Sequence, residues 1–136
     1  MSIISLEDRY AIHALIELYG HLIDDRQFTR LGEIFTADAA FDLSGYGGAR
    51  YQSLPSIVKL MSNSTEHPLA HHATNIVIHD VQVAHVKVKS KGIGVGYQGR
   101  VGSVVYLDTV IRISDQWKIS ERLVELRSKS SKETQL

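Results

Sequence analysis

Histidine, aspartate, tyrosine and arginine are among the residues of this chain that could move or hold protons, and cysteine is absent. Without a thiol there is no disulfide, no thiolate metal ligand and no cysteine nucleophile. A neutral imidazole suits proton abstraction near neutral pH, and there are seven histidines. His71 and His72 are neighbours in a segment of period two. They must therefore point to opposite faces, and only one can serve an interior site unless a bulge intervenes. Neither His71 with His79 nor His67 with His71 gives the compact three-ligand group of a catalytic zinc site, so no metal is expected. Asp24 closes a helical pattern. Spacing alone leaves it either an exposed helix-end acid or a carboxylate behind a base, and leaves His71 either a satisfied strand histidine or that base.

Tyr106, Asp108 and Arg112 fall on one face of a strand, with Arg122 on the next. They could line a site and orient a substrate oxygen. They could equally form a cross-strand ion pair, Asp108 with Arg122, worth less than about 1 kcal/mol if exposed. Arg112 fits the ion-pair role better, and Trp117 fits the core. Gly92, Gly94 and Gly96 alternate without a following helix, as do Gly45, Gly47 and Gly48, so neither set makes a dinucleotide loop. No cofactor is expected.

The elements that would position these residues follow from periodicity. Ser5 with Asp8 forms a helix start, and Ile12, Leu15, Ile16, Tyr19, Leu22 and Ile23 recur at helical spacing up to Asp24-Asp25. That apolar stripe must lie on something. A shorter helical pattern runs through Phe28, Leu31, Ile34 and Phe35. Ala39 to Leu43 suits a short strand, Ser44 to Gly48 a loop, and Ser53 with Pro55 opens a third helix carrying Ile57, Val58, Leu60 and Met61. From His71 the period becomes two. Strands are expected at His71 to His79, Ala84 to Lys91, Val104 to Ser114 and Trp117 to Leu126, with a tight turn at Asp115-Gln116 and a long hairpin or flap at Ile93 to Gly102. Helices followed by antiparallel strands define an α+β domain. A curved sheet wrapped on a helix leaves a cavity at its open end.

The chain has 136 residues, one domain's worth, with an ordered core from about 5 to 126 and a polar tail over 127–136. Basic and acidic residues balance at 15 each, so neither nucleic acid nor an acidic membrane is an expected partner. Lys87, Lys89 and Lys91 alternate with Val86, Val88 and Ser90, the pattern of a solvated strand face. No signal peptide or bilayer-long apolar run is evident, and the default expectation is a cytoplasmic protein. Val105, Leu107, Ile111 and Ile113 lie opposite Val104 and Val110, so one strand carries apolar residues on both faces. One helix-covered face does not need that many, which points to a homo-oligomer, dimer or trimer.

Several strings together resemble the SnoaL-like branch of the nuclear transport factor 2-like superfamily. They are Leu18-Tyr19 with Asp24, Leu31 with Phe35 and Asp38-Ala39, His71-His72-Ala73-Thr74-Asn75, Tyr106 with Asp108, and Trp117-Lys118-Ile119 with Arg122. They span roughly residues 6 to 124. The resemblance implies a cone-shaped, cystatin-like α+β roll: a curved mixed or antiparallel sheet wrapped around a long N-terminal helix and two shorter ones. The chain is most similar to the subgroup of hexachlorocyclohexane dehydrochlorinase and scytalone dehydratase, whose oligomers include trimers. In that subgroup a helix-end aspartate pairs with a strand histidine that removes a substrate proton. Those roles fall on Asp24 and His71, with Tyr19, His72, Tyr106, Asp108 and Arg122 as substrate-binding candidates. The resemblance thus implies a cofactor-independent lyase, dehydratase or isomerase acting on a small apolar or cyclic substrate. The dehydrochlorinase's helper lysine has no counterpart in the first helix, and Ile23 stands where the dehydratase has a tyrosine. Those differences leave a non-catalytic binding or interaction module as the alternative.

Overall fold

The computed structural model describes residues 4–128. The tail expected over 127–136 lies outside the described residues beyond Ser128. The chain opens on helix α1, Leu6–Asp24. Ser5 and Asp8 form a reciprocal capping box, each side chain accepting the other's backbone N–H. The next helical pattern closes as a single 3-10 segment, Phe28–Glu33, and Phe35 already belongs to strand β1, Phe35–Gly45. A short strand β2, Arg50–Gln52, precedes helix α2, Leu54–Asn63. Three residues give too little alternation to betray a strand in sequence, and β2 was not expected. Strands β3 (Ala70–Val81), β4 (His85–Val95), β5 (Val101–Ile113) and β6 (Gln116–Leu126) complete the chain.

The six strands form one curved α+β sheet in the order β2-β1-β6-β5-β4-β3. It is mixed rather than a run of antiparallel strands, because β1 lies parallel to β6. It does not close into a barrel: β2 and β3 remain edges. The glycine-rich stretch expected as a hairpin or flap is fully laddered on both arms, with Ile93 opposite Ser103 and Val95 opposite Val101. The β5–β6 turn falls one residue earlier than expected, on Ser114 and Asp115, both at positive φ (49° and 64°). Positive φ at both central residues matches the right-handed twist of a two-residue hairpin.

α1 lies in the concave face of this sheet. Its stripe, Ile12, Ile16, Tyr19, Leu22 and Ile23, is buried against Val86, Val88, Val110, Ile119 and Val124. Each such side chain taken fully out of water contributes roughly 1.5–3 kcal/mol. The outer end of α1 is pinned by Trp117, whose indole N–H donates to Asp8 (2.9 Å). That bond, with the Ser5 N–H and nearby Arg112, holds the Asp8 carboxyl below the usual carboxylate range. Arg112 half-covers the Trp117 ring and pairs with Asp8 at 3.4 Å, the structural role its position favoured.

Three irregularities decide which side chains face inward. On β6, Thr109 pairs with Glu121 but Val110 pairs with Ile119, so Ser120 is an extra residue. Trp117 and Ile119 face in, and after Ser120 it is Arg122 and Val124 that face in. Without that bulge, period two would turn Arg122 outward. On β3 an extra residue lies between Thr74 and Val77, where Asn75 takes φ 54°, and a further shift falls between Ile78 and Asp80. Asparagine tolerates that left-handed conformation better than most residues. Both shifts lie beyond His71 and His72, so neither exchanges the two histidines. No helix among the described residues is long and apolar enough to cross a membrane.

Candidate active site

Asp24 and His71 are 47 residues apart in the chain, and one close approach brings them together. An added Cβ on Gly20 would sit 2.7 Å from the His71 carbonyl oxygen. Gly20 therefore lets β3 lie directly on α1, and Asp24, one helical turn further on, shares that face. There it accepts twice from one residue: the His71 backbone N–H at 2.9 Å on Oδ2, and Nδ1 at 2.6 Å on Oδ1. In a neutral ring facing an ionised carboxylate, which only accepts, the proton sits on Nδ1 and Nε2 keeps its lone pair. His71 is mostly buried, with 11 % of its side chain exposed.

The His71 ring lines a cavity of about 430 Å³, a size suited to a small organic molecule. Its walls are largely apolar: Phe41 and Leu43 of β1, Leu60 and Met61 of α2, Val104 of β5 and Val124 of β6. Tyr19 and Tyr106 join them, as do Glu66, His67 and Pro68 from the loop before β3. Periodicity had marked Leu60 and Met61 as apolar residues of their helix and Val104 as one of the apolar residues on both faces of its strand. It offered nothing for the loop residues, which have no repeating pattern, and His67 had been weighed only as a metal ligand. Among the described residues no three histidine, aspartate or glutamate side chains group as metal ligands.

Behind the two tyrosines lies a buried ion pair. Arg122 donates from Nε and Nη2 to the two carboxylate oxygens of Asp108, at 2.8 and 2.9 Å. Both side chains are fully buried. The guanidinium carbon stacks on both phenol rings, 4.4 Å from the centre of Tyr19 and 4.0 Å from that of Tyr106. Asp108 and Arg122 were substrate-binding candidates, yet neither lines the cavity, since each is engaged by the other and by the tyrosines. They support the wall. The third guanidinium nitrogen, Nη1, is buried without a hydrogen-bond partner. Burial opposes the charge on Arg122, but Asp108 outweighs it and the guanidinium pKa is raised. His72, also a candidate, is exposed on the opposite face of β3, as alternation requires.

Residues 5–123 match the family model of the SnoaL-like domain, and the chain belongs to that family. No curated protein matches the chain. Among solved structures, LinA is 25% identical, with TM-score 0.76 over 90% of this chain and 88% of that one. A related structure names LinA a hexachlorocyclohexane dehydrochlorinase. A protein from Novosphingobium aromaticivorans provisionally named an aromatic ring hydroxylase is 27% identical, with TM-score 0.75 over 91% of this chain and 92% of that one. Another from the same organism, provisionally named a scytalone dehydratase, is 21% identical, with TM-score 0.78 over 90% and 86%, and shares the fold.

Two predictions follow from the wall. Removing one partner of the buried pair strands the other charge, so Asp108→Ala should cost about 3–5 kcal/mol in urea unfolding. The double variant Asp108→Leu with Arg122→Met should recover most of that. A double variant no more stable than the single one would contradict the pairing account.

Burial, followed by the neighbouring Tyr106, pushes the Tyr19 pKa far above its ordinary value, and burial raises Tyr106 against the pull of Arg122. The unfolded chain loses these protons near pH 10 while the folded chain keeps them. Their contribution is thus complete below about pH 10 and is lost as pH rises further. Between about pH 8 and pH 11, the urea midpoint of the parent should fall further than that of Tyr19→Phe. Equal falls would show that Tyr19 ionises freely.

Proposed function

We propose that this chain is a cofactor-independent small-molecule lyase, dehydratase or isomerase in which His71, oriented by Asp24, removes a proton from a substrate held in the apolar cavity. The observation that supports it is the double acceptance by Asp24 of the His71 backbone and ring N–H groups at the cavity wall. That arrangement leaves Nε2 as a proton acceptor in low-dielectric surroundings. The carboxylate stabilises the imidazolium formed when the proton arrives. This is equipment for proton transfer. It favours the elimination named for LinA and the dehydration named for scytalone dehydratase over ring hydroxylation. Tyr19 and Tyr106, held neutral, shape the wall beside the base.

Once a turnover assay is found among small cyclic alcohols, ketones and halides, His71→Ala should reduce the rate by about 10²–10⁴-fold with its circular dichroism unchanged. Asp24→Asn should fall similarly, because an amide can donate to Nδ1 and force the proton onto Nε2. Undiminished turnover in His71→Ala would remove the mechanism.

The convex sheet face supports self-association. Register places Lys91, Val105 and Glu125 side by side on β4, β5 and β6, then Lys89, Leu107 and Leu123, then Lys87, Thr109 and Glu121. An apolar strip thus runs between a lysine row and a strand with two glutamates. A two-fold axis parallel to β5 would set the lysine row of one copy over the glutamates of the other, a self-complementary arrangement. Light scattering at micromolar concentration should give the mass of an oligomer, and a monomer would exclude it.

A further inference from the structure

His67 stands on the cavity wall and has no part in the chemistry above. Its ring centre lies 5.5 Å from that of His71, nearer than Tyr19 at 6.2 Å, and the two imidazole planes meet at 52°. Its ring nitrogens differ. Nδ1 is buried with no hydrogen-bond partner, so of the two nitrogens only Nε2 is left to meet a molecule in the cavity that His67 lines. Of the carboxylates near the His67 ring, Asp24 is taken up by His71, and Glu66 of the same loop lines the cavity. Burial, then the charges of His71 and Arg26, lowers the His67 pKa against a weaker pull from Asp24. The ring is therefore neutral and carries one N–H. An enclosed donor with no acceptor is costlier than an enclosed lone pair. The proton accordingly belongs on Nε2.

The two histidines then present opposite faces of the same group to the cavity: His71 an acceptor, His67 a donor. We infer that His67 is the residue that recognises the substrate, donating from Nε2 to an oxygen next to the carbon that gives its proton to His71. This rests on the Asp24–His71 reading and narrows its substrate class to small apolar compounds with a carbonyl group beside an acidic C–H. For a ketone, the C–H bond breaks and its proton goes to His71 Nε2. The electron pair moves into the C–C–O system, and the oxygen that gains charge is held by the His67 N–H. No electrons enter or leave. A donor placed where charge develops lowers the barrier as well as orienting the ground state.

The probes are 1-indanone and indane, which share a shape and differ by one carbonyl oxygen. Titrated into the full chain, the parent should bind the ketone in preference to the hydrocarbon. His67→Phe keeps an aromatic ring and removes the donor, and it should reduce that preference about tenfold, the worth of one hydrogen bond. His67→Gln, which restores an N–H of similar reach, should keep part of it. An unchanged preference in His67→Phe, or no binding of either compound to the parent, overturns the inference. The dyad is judged separately, by turnover in His71→Ala.

Discussion

A charge taken out of water must meet a partner at once, and in this fold that requirement is concentrated on Arg122. Its guanidinium is wholly enclosed, so two of its nitrogens must find acceptors and its faces must find polarizable surface. Asp108 supplies both acceptors from the neighbouring strand, in direct register. Tyr19 and Tyr106 supply the faces, and a desolvated cation over an aromatic ring is worth about 2 kcal/mol. One side chain thereby ties β5, β6 and α1 together. The Ser120 bulge is what allows it, by reversing the inward alternation of β6, and the Ser120 hydroxyl returns a bond to the Thr109 carbonyl across the irregular step. The tyrosines so fixed form the cavity's inner wall, and the Tyr106 ring lies close against Gly92, where an added Cβ would be 2.4 Å away.

The second constraint is contact between α1 and the edge strand β3. A helix normally stands off a sheet by the thickness of its side chains. At Gly20 there is none, and the His71 backbone comes to the helix itself. Asp24 then replaces the missing packing with two hydrogen bonds. The same contact that seats the strand fixes the tautomer of the histidine. The proposed chemistry rests on the same pair of residues, and an Asp24 variant probes both.

The SnoaL-like family supplies the cone and leaves the chemistry to its lining, because a fold does not determine a reaction. Relatives with one outline bear the names of a dehydrochlorinase, a dehydratase and a ring hydroxylase. In this chain the lining is apolar apart from a few groups, and two of those are imidazoles within 5.5 Å of each other.

Local patterns were enough for much of this protein. The Ser5–Asp8 cap, the stripe of α1, the proline start of α2 and four of the five long strands follow from near-neighbour rules. They act over a few residues and are visible in order along the chain. The family strings added the pairing of Asp24 with His71, which spacing had left open; alternation allowed only one of His71 and His72 to face inward, and the fold exposes His72. Interactions between distant segments decided the rest. Ser120 looks like any strand serine, and only its pairing across β5 makes it the extra residue that turns Arg122 inward. Asp108 and Arg122 were visible as a cross-strand pair, but a surface pair and a buried one have the same letters, and burial depends on what α1 lays over them. Gly20 is an ordinary helix glycine until β3 arrives. His67 sits in a loop without period, where only the folded chain brings it to His71. Sequence determines which faces are apolar and where elements start; close approach across the sheet decides which polar groups are enclosed together, and so what chemistry they can perform.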